Sequence, residues 1–185
     1  MKAHAASYPL PVHGHHPNFR GASQAANLLI DALLQNGSVR VGDTILSYPD
    51  YVLKPLRKRL LEEGVDVIVP AKYGRGYRLL ESAVVAPAKG SSIAGAERHG
   101  TMIHKLPTLR MTFIACVVLS KNGHWLSKGY GYRLPEELKG LPSATIVHPL
   151  QFVSDPFNPD GIVFSYATTS EVSNPSPALQ KCALH

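Results

Sequence analysis

Short apolar segments alternate with amphipathic helical patterns along this chain, and that alternation restricts the folds available to it. Residues 22–34 repeat apolar side chains at helical spacing and stop before Gly37. Residues 65–70, VDVIVP, instead form a short β-branched run, which is typical of a strand buried on both faces. The pattern predicts an α/β layered domain with a largely parallel sheet.

Further segments extend this alternation. The sequence predicts a strand at 44–50, a helix that begins at Pro55 and ends at Gly64, a glycine-rich turn at 71–81, a mobile loop at 86–100, a strand at 111–120, a hairpin return strand after Asn122-Gly123, and strands at 143–149 and 161–167. A length of 185 residues favours one domain. We expect it at residues 21–172, between an irregular segment at 1–20 and a frayed tail at 173–185.

Charge and composition narrow the classes of function. The net charge of +6 favours anionic partners such as nucleotides, polyglutamylated ligands or nucleic acid. Cys116 lies in an apolar run and is expected to be a buried thiol. No apolar run approaches the roughly 18 residues of a membrane span, and no signal-peptide core is present, so a soluble cytoplasmic protein is expected. The two cysteines, Cys116 and Cys182, are too few and too scattered for a zinc cluster. The spacing of His13, His15 and His16 matches no structural zinc site.

Two glycine-rich basic loops each follow a predicted strand. Lysine or arginine side chains accompany the glycines of both the first loop, residues 71–78, and the second loop, residues 127–133. In parallel sheets, ligands bind at the carboxyl ends of the strands. Glycines let backbone N–H groups approach a phosphate closely, and a lysine adds a positive charge. The two loops therefore point to a site for an anionic ligand.

The second loop, KGYGY at 128–132, fits no standard phosphate-binding motif. A dinucleotide-binding fingerprint needs a third glycine where Leu134 stands, and the glycine-lysine-serine order of a P-loop is absent. A phosphate-holding loop and a plain glycine turn are both compatible with these residues.

Six segments, taken together, resemble the 5-formyltetrahydrofolate cyclo-ligase family, and more closely its divergent cyclo-ligase-like branch. In order along the chain they are HPNFRGASQAA, YPDYVLKPLRKRLLEEG, VIVPAKYGRGYRLLE, HWLSKGYGY, SATIVHPLQFVSD and PDGIVFSYATTSEV. The resemblance implies a three-layer α/β sandwich, shared with the ribose-phosphate isomerase and CoA-transferase group. It also implies the use of ATP and Mg²⁺ to convert 5-formyltetrahydrofolate, or a related N-formyl compound, to 5,10-methenyltetrahydrofolate.

The resemblance also implies roles for particular residues. A phosphate loop would consist of Lys128, Gly129, Gly131 and Tyr132, with Lys72 and Arg75 as further contacts to ATP. Two arginines, Arg57 and Arg78, would offset the charge of the transferring phosphoryl group. The candidates for a pterin or adenine slot are Tyr77, Trp125 and Tyr130, because flat ligands stack on aromatic rings, and His148 is retained from the family's histidine motif.

The chain departs from the family pattern at positions that matter for the chemistry. Leu134 stands where the family has an aspartate at its magnesium–phosphate site, and a leucine cannot ligate a hard cation. Glu136 is the candidate replacement ligand. Pro149 replaces a second family aspartate, and the first 34 residues contain only Lys2 and Arg20 as lysine or arginine. These departures put magnesium-dependent chemistry in doubt more than ligand binding.

Two hypotheses about function follow. The first is an ATP-dependent ligase acting on a reduced folate or a related N-formyl compound. The second is a non-catalytic relative that binds a nucleotide or folate and has a regulatory or scaffold role. RNA binding through the basic loops is disfavoured, because the sequence contains no aromatic strand motif of an RNA-binding module.

Overall fold

The computed structural model describes residues 17–154 and 157–175. The predictions about His13, His15, His16, Cys182 and all but the first residues of the tail lie outside this part of the chain. In the described part, no helix has the length and apolar character needed to cross a membrane.

Helices and strands alternate along the described chain. In order they are α1 (Ala22–Gln35), β1 (Thr44–Ser47), α2 (Lys54–Glu62), β2 (Asp66–Pro70), β3 (Tyr77–Leu80), α3 (Pro87–Gly90), α4 (Ile93–His99), β4 (Thr101–Ile103), β5 (Met111–Phe113), β6 (Val118–Leu119), β7 (His124–Leu126), β8 (Ser143–Ile146), β9 (Gly161–Ile162), β10 (Ser165–Ala167) and β11 (Val172–Ser173). Short 3₁₀-helices lie at Tyr51–Leu53, Lys72–Gly74, Glu136–Leu138 and Pro149–Gln151.

Eight of the described strands form the main sheet, in the order β11-β10-β8-β5-β1-β2-β3-β4. Strands β10, β8, β5, β1 and β2 run parallel to their neighbours within this group, whereas β11, β3 and β4 pair antiparallel at the edges. In the centre, Ile45 of β1 pairs with Val67 on one side and Met111 on the other. A smaller antiparallel sheet has the order β6-β7-β9. The prediction of an α/β fold with a largely parallel sheet is confirmed.

Side chains of the central strands alternate between two hydrophobic clusters. Ile45 and Val67 belong to the main core, which they share with the apolar faces of α1 and α2. Their neighbours Leu46 and Ile68 belong to a second cluster, so they point to the opposite face of the sheet. That cluster is covered by partly buried side chains from residues 103–106 and 134–141. The third layer therefore consists of loops and a 3₁₀-helix.

The prediction of one strand at 111–120 is wrong, because the chain changes sheets within this run. After Phe113, Thr145 Oγ1 donates to the carbonyl of Ile114 at 2.8 Å. The N–H of Val117 then donates to Leu126 of the smaller sheet at 2.8 Å. The predicted strand at 161–167 divides in the same way, into β9 and β10. The hairpin between β6 and β7 is confirmed.

The prediction of a mobile loop at 86–100 is also wrong, because α3 and α4 occupy it. Pro87 stands in the first turn of α3, and the Ser92 hydroxyl caps α4 by accepting from Gly95 N at 3.0 Å. The predicted turn at 71–81 likewise contains β3 in its second half. Ser173, the first residue of the predicted tail, pairs in β11.

Candidate functional site

The two glycine-rich loops line one cleft of about 520 Å³ at the carboxyl ends of β1 and β2. We call it the two-loop cleft. Its walls come from the segments after β1 and β2, from both loops and from the start of α4: Pro49, Pro70, Ala71, Lys72, Tyr73, Gly74, Gly76, Tyr77, Ile93, Gly131, Tyr132 and Arg133. The volume is in the range of small-molecule sites. Of the predicted site residues, Lys72, Tyr77, Gly131 and Tyr132 therefore meet in one place.

The backbone of the second loop requires its glycines. Gly129 and Gly131 have φ angles of 82° and 91°, in the left-handed region that favours glycine. A β-carbon on Gly131 would lie 3.3 Å from Cε of Lys128, so the lysine side chain packs directly behind this residue. At the start of the loop, Ser127 N donates to Asp160 Oδ2 at 2.7 Å. The loop is thus anchored, with little side-chain bulk at its glycines.

Lys128 points back into the protein and meets a carboxylate. Its Nζ lies 3.4 Å from Asp50 Oδ1, and the side chains of the two residues are only 14% and 8% exposed. The ammonium group also lies 5.0 Å from the centre of the Tyr130 ring, close enough for a cation–π interaction. The predicted phosphate-binding lysine therefore has a largely buried counter-ion next to the cleft.

Tyrosine side chains cluster beside the cleft, whose walls include Tyr77 and Tyr132. The rings of Tyr48 and Tyr132 pack edge to face with their centres 5.1 Å apart. Burial raises the pKa of Tyr48 to about 12 and also raises the pKa of Tyr132 well above its usual value. The buried Tyr132 hydroxyl lies close to Tyr77, yet no hydrogen bond of good geometry satisfies it within the described chain. These hydroxyls stay protonated at neutral pH and are suited to donate hydrogen bonds.

Arg57 is predicted to offset phosphoryl charge, but the structure buries its guanidinium among backbone carbonyls. The residue is 1% exposed. Its Nε donates to Ser91 O at 2.7 Å, and its terminal nitrogens donate to Tyr48 O at 2.8 Å and to Asp50 O at 3.2 Å. Burial lowers the pKa of Arg57 to about 10. In this position Arg57 orients the segment after β1 and offers no open face to a ligand.

Arg78 and Lys72 are linked through Glu97 of α4. The Arg78 guanidinium lies 3.0 Å from Glu97 Oε2, and the backbone N–H of Lys72 donates to Glu97 Oε1 at 2.7 Å. The Lys72 N–H and Arg78 hold the pKa of this carboxyl below its ordinary value. Arg78 therefore helps to fix the first loop and does not line the cleft. Arg75 lies outside the cleft as well, with its guanidinium 5.9 Å from the Tyr73 ring centre.

The residues at the implied magnesium position do not fit a metal ion. Leu134 packs against both hydrophobic clusters. The Glu136 side chain is 83% exposed and forms an ion pair with Lys139 at 2.6 Å, outside the cleft walls. Within residues 17–154 and 157–175, no group of three or more histidine, cysteine, aspartate or glutamate side chains is placed to hold a metal.

The other predicted ligand contacts lie away from the cleft. Trp125 is 8% exposed and packs in the core, where Gly161 leaves room for its indole ring. The Nδ1 atom of His148 accepts from Leu150 N at 3.2 Å, and the backbone N–H of His148 donates to Gln151 Oε1 at 2.8 Å, which completes a capping box. Tyr130 is 58% exposed beside Lys128. The expected burial of Cys116 is confirmed, and this burial raises its pKa to about 12.

Sequence reasoning missed three residues around the second loop. Tyr48 and Asp50 belong to the YPD segment that follows β1, and Asp160 anchors Ser127. The YPD segment is part of the family resemblance, so the resemblance was the signal that could have identified Tyr48 and Asp50. No spacing in the sequence indicates that Asp50 reaches Lys128, which is 78 positions away.

Curated relatives match most of this chain but less than half of their own length. The methenyltetrahydrofolate synthase domain-containing protein of Mus musculus is 30% identical over 175 residues, covering 84% of this chain and 46% of that protein. Its Bos taurus counterpart is 28% identical over 169 residues, covering 82% and 43%. The chain thus spans about half the length of the curated relatives it matches. No family model matches the chain.

Solved structures share the fold at low sequence identity. The NMR structure of Aquifex aeolicus 5,10-methenyltetrahydrofolate synthetase superposes with a TM-score of 0.53 at 18% identity, covering 85% of this chain and 84% of that one. The crystal structure of eIF2B beta from Chaetomium thermophilum gives 0.53 at 12% identity, covering 88% and 52%. At these identities, the likeness concerns the fold alone.

The mainly parallel sheet, with basic glycine loops converging at the carboxyl ends of its strands, gives this α/β protein the fold seen in the 5,10-methenyltetrahydrofolate synthetase structure. Together with this fold, the curated relatives make the chain similar to methenyltetrahydrofolate synthase domain-containing proteins and support its resemblance to the 5-formyltetrahydrofolate cyclo-ligase family.

Proposed function

We propose that this protein binds a nucleotide together with a reduced folate, or a related N-formyl compound, in the two-loop cleft. The observation that carries the proposal is the convergence of both glycine-rich basic loops on one cleft at the carboxyl ends of parallel strands. Lys72 and Arg133 give the cleft walls positive charge, and Tyr73 and Tyr77 supply aromatic surface for a flat ring. Such a site suits a planar, anionic ligand.

In the catalytic form of the proposal, the protein is an ATP-dependent cyclo-ligase. ATP would supply the phosphoryl group that activates a formyl oxygen, and the chain would position the two ligands. The backbone N–H of Gly131 would hold a phosphate oxygen, with Lys128 behind it, whereas the Gly129 N–H donates to Ser127 Oγ at 3.2 Å. The Tyr132 hydroxyl would donate to a polar atom of the ligand. No step is assigned to magnesium, because the residues at its implied position do not fit it.

Turnover tests this catalytic form directly. Purified protein is incubated with ATP and 5-formyltetrahydrofolate, and 5,10-methenyltetrahydrofolate is followed by its absorbance. Lys128→Ala should lower the rate by about a hundredfold, because electrostatic stabilisation of transferring charge has effects of that size. The matched control is Lys139→Ala, which removes an exposed lysine outside the cleft and should retain activity. Absence of product with 5-formyltetrahydrofolate and other N-formyl compounds eliminates the catalytic form.

The second candidate is a non-catalytic relative that keeps the ligand site, and three observations favour it. Leu134 is a packing residue, Glu136 faces solvent, and Arg57 is engaged by backbone carbonyls. The groups that the resemblance assigns to metal binding and charge stabilisation are therefore not presented to the cleft. Calorimetric titration with a non-hydrolysable ATP analogue and with reduced folates should then show saturable binding without product. Featureless titrations with both ligand types contradict this candidate as well.

A further inference from the structure

The ion pair between Lys128 and Asp50 joins the second loop to the end of β1. Neither residue lines the cleft, but their chain neighbours do: Pro49 precedes Asp50, and Gly131 covers the Lys128 side chain. The separation of 3.4 Å between Nζ and Oδ1 is longer than the about 2.8 Å of a tight charge-assisted hydrogen bond. The pair is thus an ion pair in which the contact between the charged groups is long.

The backbone of Asp50 is held firmly, so its carboxylate stays near Lys128. Two terminal nitrogens of Arg57 donate to the Asp50 carbonyl, each at 3.2 Å. The same guanidinium holds Tyr48 O, two residues earlier. Because Arg57 is fully buried, this anchoring is part of the core and does not depend on a ligand.

An anion that enters the second loop meets both charges of this pair. A phosphate oxygen at the Gly131 backbone would approach the Lys128 ammonium, whose Nζ lies 3.4 Å from Asp50 Oδ1. Attraction by the lysine is then offset by repulsion from the aspartate, and the repulsion grows with each negative charge on the ligand. Asp160, bound to Ser127 N, adds a second carboxylate at the start of the loop.

We propose that Asp50 is a specificity-determining residue of the two-loop cleft, which acts as an internal counter-ion of Lys128 and limits the affinity for multiply charged phosphates. Ligand groups with a single negative charge, such as a carboxylate, are opposed least and are favoured relative to polyphosphates. This inference rests on the proposed binding of an anionic ligand. In this inference Asp50 influences which ligand binds and takes no part in the chemical step.

The test compares AMP, ADP and ATP binding to the wild-type protein and to Asp50→Asn by calorimetry at fixed ionic strength. The substitution should raise the affinity for ATP by about tenfold and that for AMP by only about threefold, because the removed repulsion scales with ligand charge. Asp31→Asn makes the same change in net charge at a half-exposed ion pair outside the cleft, so its effect should stay below about twofold. Equal or weaker ATP binding by Asp50→Asn overturns the inference.

A readout that needs no ligand separates this inference from the proposed function. Acylation of lysine side chains is followed by mass spectrometry, with Lys139 as the exposed reference in the same sample. Asp50→Asn should speed acylation of Lys128 severalfold relative to Lys139, because the counter-ion that holds the side chain is gone. An unchanged ratio overturns the counter-ion role, whatever binds. A raised ratio with no nucleotide binding to either protein overturns the proposed function and supports the counter-ion role. Thermal unfolding verifies that each variant is folded.

Discussion

At the scale of single residues, Arg57 shows how burial changes the role that a sequence suggests. A lysine or arginine near a phosphate loop is a natural candidate for charge stabilisation, yet here the guanidinium holds the carbonyls of Tyr48, Asp50 and Ser91. Replacing it with methionine would remove the donor that Ser91 O has in this structure, and would leave Tyr48 O with Ser47 Oγ and Asp50 O with Leu53 N as their remaining donors. We expect Arg57→Met to lower the free energy of unfolding by about 3 kcal/mol, measured by urea denaturation.

The control for this prediction is Arg98→Met, since Arg98 is an exposed arginine in the last turn of α4. Its effect should stay within about 0.5 kcal/mol. A stable Arg57→Met protein that loses ligand affinity would instead restore the direct charge role.

Tyr48 gives a prediction about alkaline pH. Its pKa is raised from 10.0 to about 12 by burial, so between these values the folded protein keeps a proton that the unfolded chain has lost. Stability therefore falls as pH rises through this window, by up to about 1.4 kcal/mol per pH unit for this group. Denaturant unfolding of Tyr48→Phe at pH 9.5 to 11.5 should show a correspondingly shallower loss than the wild type. Identical slopes would contradict the burial of this hydroxyl.

At the scale of elements, the first loop depends on a contact from α4. Glu97 accepts from Lys72 N and pairs with Arg78, so it ties the loop to both α4 and β3. We expect Glu97→Gln to speed amide exchange in residues 71–76 and to weaken ligand binding, with little change in global stability. Its pKa is lowered from 4.5, so its stabilisation is present above that value and is lost as pH falls through the folded pKa. Acidification of the wild type should thus reproduce the loss of protection in residues 71–76, once exchange rates are corrected for the pH dependence of intrinsic exchange.

The elements also show which parts of the fold were predictable. Helix α1 and strand β2 follow from local patterns, since periodicity and β-branched composition report burial directly. The change of sheets after Phe113 does not follow from a local pattern, because a run of apolar residues has the same sequence character whether the strand continues or the chain turns into another sheet. Helices α3 and α4 were missed although Pro87 and Ser92 marked their first turns, because small and polar residues favoured a loop interpretation.

The position of the loops that form the candidate site was predictable from the sequence, but the pairing of its charged side chains was not. Residues 71–78 and 127–133 were expected at strand ends, and both lie beside one cleft, the first loop after β2 of the main sheet and the second after β7 of the smaller sheet. The pairing of Lys128 with Asp50 is a long-range contact, which no local pattern records. The sequence does not distinguish a buried arginine from an exposed one, so the role of Arg57 could be assigned only from the structure.

At the scale of the whole molecule, the cleft lies between parts that belong to different sheets. The first loop and the segment after β1 extend from the main sheet, whereas the second loop follows β7 of the smaller sheet. A ligand that contacts both loops would therefore link the two sheets. Of the bases in these loops, Lys72 and Arg133 line the cleft.

We therefore expect ligand binding to stabilise the whole molecule and to protect both sheets together. A nucleotide or reduced folate at about 100 times its Kd should add about 2.7 kcal/mol to the free energy of unfolding and raise the Tm by roughly 5–10 °C. Amide exchange should slow in both β3 and β7, because the bound ligand restrains both loops. Lys128→Ala should reduce the shift, whereas Lys139→Ala should not. Protection confined to the main sheet would mean that the ligand does not engage the second loop and would contradict the proposed two-loop site.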